Sequence, residues 1–432
     1  MKSEAAYNDG IGNGRFIDKR ERNRMSLPEK LEFPLVDSSY DNQEILNCIS
    51  TLLSGQLTMA GRVRAFEQSF ASYCQAPYGV MVNSGSSANL LAVSALTNPL
   101  RSRHLRPGDR VAVPAVCWST SLWPIVQLGL IPVLVDVDPA TLNLSIPSLK
   151  KALLTHEVKA VMMVHILGNS TEMGELLEIV HNEGLFLIED TCESLGSSYD
   201  GKPLGSIGDF GTFSFYFSHH MTTIEGGMVL AKTEEDFDLL KCMRAHGWSR
   251  EQSNRRELEK QNPHIDPRFL FVNLGYNVRP MEIQAAFGLE QLKRLDDMNA
   301  HRRTNVAKIR AAFRQHPAWR GQLVFPTATS ELDVCWFGFP FLVDSGIDFD
   351  YQKFTANLLA RGVDTRPIVS GNMALQPAVK YFNVDLSMGP FTGAQRIHDR
   401  GLFIGCHAKP LLDTTIERLV DLILSCLIET VK

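Results

Sequence analysis

Two adjacent histidines, His219 and His220, close an apolar run that begins at Phe213 and leads into Glu225-Gly226-Gly227. Histidine changes charge near neutral pH, so a pair at a strand end is a candidate for moving protons. A lone histidine beside an apolar strand is more often a satisfied core group. Here serines flank the pair, and strand-end loops are where reactive groups gather. No Asp, Glu or Cys stands at a metal-ligand spacing such as HExxH, so no metal is expected.

Three other segments could join such chemistry. Leu187-Ile188-Glu189-Asp190-Thr191-Cys192-Glu193 sets acids at the end of a buried strand, where parallel sheets present ligands. Asp190 could keep a ring nitrogen protonated, as pyridoxal phosphate requires of its partner. Helix capping by Asp190 is the plainer reading, and it leaves Glu193 without a role. Asn83-Ser84-Gly85-Ser86-Ser87-Ala88-Asn89 opens a helix, and its free N–H groups, with the Ser86 and Ser87 hydroxyls, suit a phosphate. A serine-rich helix cap without a ligand fits it equally well. Trp118 follows another strand, where an indole either stacks on a flat ring or packs in the core.

These groups need a frame. Apolar runs at 78–82, 110–113, 131–135, 160–164, 185–188, 211–217 and 228–231 read as strands. Segments with helical spacing lie among them at 88–96, 148–154 and 173–182. That alternation predicts an α/β layer with a mostly parallel sheet. Beyond residue 280 the pattern predicts helices over 281–295 and 303–313, a strand over 334–342 and a helix over 351–359. The charged stretch 249–268 reads as an inserted surface loop. The expected organisation is a flexible arm over 1–30, a large domain over 31–295 and a smaller α/β domain over 296–432.

With 432 residues, one core is too few. A net charge of −5 argues against nucleic acid as a partner, and no apolar run is long enough for a membrane span. No two of the eight cysteines lie closer than 20 positions, which excludes CxxC pairs and points to a reduced, cytoplasmic setting.

In this order and spacing, the segments resemble the DegT/DnrJ/EryC1/StrS aminotransferase family of fold-type I pyridoxal-phosphate enzymes. The resemblance runs from about Ser54 to the C-terminus and also takes in Val135-Asp136-Val137-Asp138 and Asn277-Val278-Arg279-Pro280-Met281-Glu282. It implies a fold-type I transferase architecture with pyridoxal or pyridoxamine 5′-phosphate as cofactor. Gly85, Ser86 and Ser214 would hold the phosphate, with Asn277 reaching in from a partner subunit of a homodimer. Asp190 would meet the pyridine nitrogen, Trp118 would stack on the ring, and Glu193 would contact its hydroxyl side.

One position departs from the family. Its aminotransferases carry a lysine five residues after the serine, and here that residue is His219; the nearest lysines in sequence are Lys202 and Lys232. An imidazole does not anchor the cofactor covalently, so pyridoxamine phosphate is expected to sit unattached. The swap resembles the 3-dehydratases that form 3,6-dideoxyhexoses. Thr191-Cys192-Glu193-Ser194-Leu195-Gly196, Arg244-Ala245-His246-Gly247-Trp248 and the run from Thr365 to Asn372 look nearest to those acting on GDP-sugars. The resemblance thus implies loss of the C3 hydroxyl from a GDP-linked 4-keto-6-deoxyhexose. His219, at a pKa near neutrality, would be the acid–base group, with His220 as its rival. L-glutamate would restore the amine, its carboxylate meeting Arg244 or Arg366. The region 248–254 has no cysteine, unlike the iron–sulfur branch. A conventional sugar aminotransferase and a non-catalytic sugar-nucleotide binder are the other readings.

Overall fold

Runs such as Tyr78–Val82 and Ile131–Val135 are buried in four of their five residues, as strands covered on both faces must be. They belong to a sheet of seven strands: β1 (Tyr78–Val82), β2 (Arg110–Pro114), β3 (Ile131–Val135), β4 (Val158–Val164), β5 (Phe186–Asp190), β6 (Phe210–Ser214) and β7 (Gly227–Ala231). Their spatial order is β1-β7-β6-β5-β4-β2-β3. The run from β6 to β3 is parallel throughout, and β7 lies antiparallel to both β1 and β6. The expected mostly parallel sheet is therefore present. The computed structural model describes residues 31–432 except Ser38, so the arm expected over 1–30 lies outside the described residues.

Helices α1 (Asn42–Leu53), α2 (Gly61–Tyr73), α3 (Gly85–Leu96), α4 (Ser119–Gln127), α5 (Ile146–Thr155), α6 (Met173–Asn182) and α7 (Glu234–Arg244) precede or connect these strands. The stretch expected as a loop over 249–268 holds a short helix, α8 (Arg255–Gln261), with no buried residue. Its spacing carries no apolar face, which is why no helix was legible there. Two consecutive helices follow, α9 (Glu282–Lys293) and α10 (Leu295–Gln315). The second begins eight residues before the expected 303, and Asp296 and Asp297 suit its first turn by opposing the helix dipole.

A second, antiparallel sheet comprises β8 (Leu323–Val324), β9 (Gly338–Val343), β10 (Thr365–Pro367) and β11 (Gly401–Gly405), ordered β8-β9-β11-β10. Helices α11 (Tyr351–Ala360), α12 (Thr392–Arg400) and α13 (Asp413–Ile428) accompany it. The strand expected from 334 starts only at Gly338. The chain before it is pressed against Gly168, where a Cβ would stand 2.1 Å from the Cys335 carbonyl oxygen. The expected boundary at 295/296 falls in the first turn of α10. One buried apolar cluster runs across it, from Phe33 to Leu427. No helix among the described residues is long and apolar enough to cross a membrane.

Candidate active site

The carboxyl ends of the parallel strands open onto a cavity of about 410 Å³. Its wall combines Gly85, Ser86, Trp118, Asp190, Glu193, Ser214 and His219 from the central sheet's loops with Arg302, Phe337 and His407. No lysine is among the described residues that line it. Seven residues singled out in the sequence thus come together.

The start of α3 forms one end. Ser84 is extended and accepts a hydrogen bond from the Ser87 amide at 3.1 Å, closing the first turn. A Cβ on Gly85 would lie 2.5 Å from that of Ser214, so glycine is what lets β6 and the helix start approach. The amides of Gly85 and Ser86, as first-turn groups, have no partner within the helix. Ser87 departs from expectation. It does not line the cavity, and its hydroxyl lies 3.1 Å from that of Ser84, inside the cap.

Asp190 ends β5 with its carboxylate held on three sides. Oδ2 accepts from Asn89 Nδ2 and Ser121 Oγ, both at 2.7 Å, and Oδ1 accepts from the Cys192 amide at 3.2 Å. Asn89 is oriented in turn by the Thr212 hydroxyl at 2.6 Å. Glu189, one residue earlier, points to the opposite side, as strand alternation requires. It is fully buried and accepts from the amides of Gly205, Ile207 and Gly208 and meets His165. Trp118 sits before α4 and is 56% exposed, so its indole is available to a ligand and is not core packing.

His219 Nδ1 lies 2.7 Å from the Cys192 carbonyl oxygen. A carbonyl only accepts, so Nδ1 carries the proton and Nε2 keeps its lone pair. The ring packs edge-on against Phe337. Burial pushes its pKa down to about 4, and the nearby Arg302 charge adds to that, so the value near neutrality expected from sequence does not hold in this site. Glu193 moves the other way: burial raises it to about 7 although the Leu167 amide donates to it at 2.9 Å. His220 is fully buried, does not line the cavity, and donates Nε2–H to the Cys335 carbonyl at 3.1 Å.

Both arginines expected to meet a carboxylate lie elsewhere. Arg244 is 1% exposed and gives its guanidinium to Glu67, the Met81 carbonyl and Glu251. Arg366 is exposed on β10 and turns to Asp364 and the Thr365 carbonyl. Asn277, expected to reach a partner subunit's site, lies off its own chain's cavity, on a separate surface hollow with Trp248 and Arg279.

Sequence reading missed Arg302, since a buried arginine on the charged helix α10 looks like its exposed neighbours. It also missed the segment 35–39, whose Leu35, Val36, Asp37 and Ser39 line the cavity. His407 Nε2 pins that segment at the Pro34 carbonyl, 2.8 Å away, and stacks on Phe33. A Cβ on Gly405 would come within 2.4 Å of the Leu35 carbonyl oxygen. Ser121 and Asn89 had a weak signal, both lying at helix starts already singled out. Among the described residues no group of three or more His, Cys, Asp and Glu is placed to hold a metal.

Fold and site together define the fold-type I architecture of pyridoxal-phosphate-dependent transferases. The chain belongs to the DegT/DnrJ/EryC1/StrS aminotransferase family, whose model matches residues 38–423. It is 39% identical over 382 residues to a GDP-4-keto-6-deoxy-D-mannose 3-dehydratase of Yersinia pseudotuberculosis, covering 87% of this chain and 94% of that one. A solved Escherichia coli enzyme of the same name, with bound hydrated PLP, superposes with a TM-score of 0.84 at 36% identity over 91% of this chain and 100% of that one. Another solved GDP-4-keto-6-deoxymannose-3-dehydratase, holding a trapped PLP–glutamate geminal diamine, gives 0.83 at 36% identity over 90% of this chain and 100% of that one.

Proposed function

We propose that this protein is a pyridoxamine-phosphate-dependent dehydratase that removes the C3 hydroxyl of a GDP-linked 4-keto-6-deoxyhexose, with L-glutamate as amino donor. The carrying observation is His219, at the family's lysine position, lining a cavity with no lysine among its described residues and with an unprotonated Nε2. The similarity to GDP-sugar 3-dehydratases supports the substrate class.

The residues present fit the cofactor. The glycine-cleared cradle of Gly85, Ser86 and Ser214 would take its phosphate. Asp190, fixed by Asn89 and Ser121, would keep its ring nitrogen protonated, and Trp118 would cover a ring face. When bound, pyridoxamine phosphate supplies the amine that condenses with the C4 ketone and a ring that accepts electrons. His219 Nε2 takes up a proton and returns it to the departing C3 hydroxyl. Glu193, whose carboxyl burial raises to about 7, would face the hydroxyl side of the ring.

A homodimer is part of this reading, with Asn277 completing the neighbour's phosphate site. Leu46, Ile49, Leu52 and Leu53 on α1 are exposed, an apolar face suited to cover by a second copy. A cytoplasmic setting suits a nucleotide-sugar substrate. The test is incubation with pyridoxamine phosphate, glutamate and a panel of 4-keto-6-deoxy sugar nucleotides, read by mass spectrometry. Loss of one oxygen is expected. A stable amino sugar would make the protein an aminotransferase instead, and failure to bind the cofactor would leave a non-catalytic binder.

A further inference from the structure

Arg302 is 5% exposed, yet no carboxylate among the described residues lies within salt-bridge distance of it. Its immediate neighbour Arg303 shows the usual arrangement, pairing with Asp333 at 3.0 Å on the surface. Arg302 Nη1 donates to the carbonyls of Phe337 and Cys406, two residues of the cavity wall, and so holds the guanidinium there. Its Nε is buried without an acceptor among the described residues. A guanidinium stays charged at any ordinary pH, and burying it without a counter-charge is costly. Neutral carbonyls offset that only in part. Such a group is stabilised by an anion entering the cavity.

From this wall position, and resting on the dehydratase reading above, we infer that Arg302 is the carboxylate anchor of the amino donor. Among the described residues it is the one arginine on the cavity wall, and the two arginines that sequence pointed to are occupied elsewhere. The guanidinium fork pairs naturally with a planar carboxylate. A cavity of about 410 Å³ admits a five-carbon amino acid beside the cofactor, whereas a nucleotide diphosphate would have to extend beyond it. The same charge acts on His219, so the donor would be drawn to the residue that moves the proton.

The probe is glutarate, which has the donor's two carboxylates and no amine to react. It is titrated by calorimetry into the PLP-loaded wild type, Arg302→Lys and Arg302→Gln, with GDP titrated in parallel and melting temperatures recorded. Saturable glutarate binding is expected in the wild type. A weakening of about fivefold or more is expected for Arg302→Lys, which keeps the charge but loses the fork, and of about tenfold or more for Arg302→Gln. GDP affinity should stay within about twofold, since no charge-assisted bond to it is removed. Unchanged glutarate affinity in either variant overturns the inference. So does a loss confined to GDP, which would assign the guanidinium to the diphosphate.

If Arg302→Gln does not fold, the lysine variant and a wild-type crystal grown with glutarate still decide. A carboxylate oxygen on Arg302 is expected, and a carboxylate bound elsewhere refutes it. Neither readout needs sugar turnover. A protein that binds glutarate through Arg302 but deoxygenates no sugar would therefore sink the dehydratase reading and leave this site standing.

Discussion

His219 takes its tautomer from the main chain of Cys192: the carbonyl oxygen 2.7 Å from Nδ1 makes that nitrogen the donor and leaves Nε2 with its lone pair. In His220 the arrangement is reversed, with Nε2 donating to Cys335 and Nδ1 buried without a partner among the described residues. Two adjacent histidines therefore have different tasks, one at the cavity and one in the packing.

Replacing His219 with Asn should lower deoxygenation by about a hundredfold or more, the usual weight of a positioned acid–base group, while cofactor affinity is retained. His220→Asn should instead lower the melting temperature, with turnover per folded molecule within about threefold, because a core group and not a reacting one is lost. Full activity in His219→Asn would refute the assignment.

Acid stability should report the same burial. His219 has a folded pKa of about 4 against an ordinary 6.5. Between those values the unfolded chain binds the proton and the native chain does not, so this residue's part in stability declines as pH falls from 6.5 towards 4. Urea midpoints of the wild type should drop over that window more steeply than those of His219→Asn. Parallel pH dependences would show that the imidazole is not held neutral.

Gly85→Ala should harm the phosphate end without touching the proton chemistry. The new methyl would meet Ser214 Cβ at 2.5 Å, so the β6 end or the helix start must yield. We expect the dissociation constant of pyridoxamine phosphate to rise about tenfold or more, the equivalent of losing one charge-assisted hydrogen bond. Cofactor titration followed by absorbance checks this, and an unchanged constant would place the phosphate elsewhere.

Arg244→Gln should behave as a core mutation. It strands Glu67, whose carboxyl is already raised by burial despite the arginine beside it. Removing one partner of such a pair costs about 3–5 kcal/mol. Urea denaturation should show that loss, with no separate change in the glutamate KM of the folded enzyme. A KM effect at full stability would return Arg244 to the donor site.

Much of this frame was legible because strand ends and glycine-rich turns leave local marks. The carboxyl ends of β1, β5 and β6 carry Gly85, Asp190 and Ser214, and the cavity forms where those ends converge. Arg244 misled because an arginine at the end of α7 looks the same in sequence whether it faces a ligand or a buried glutamate. Arg302 and the cavity residues Leu35, Val36, Asp37 and Ser39 left no mark: Arg302 is placed by carbonyls 35 and 104 positions away, and the chain at Pro34 is held by a residue 373 positions away. Perturbed proton affinities were equally invisible: burial, not residue type, sets His219 and Glu193 apart.

The pinning of Pro34 and Leu35 by Gly405 and His407 gives the cavity a history as well as a shape. Synthesis delivers Asp190 and His219 long before the residues that fasten this segment. During that interval the pocket lacks part of its wall, so a truncated or half-made chain has no finished chamber in which to hold a reactive amine. Completion of the site thus waits on the synthesis of Gly405 and His407.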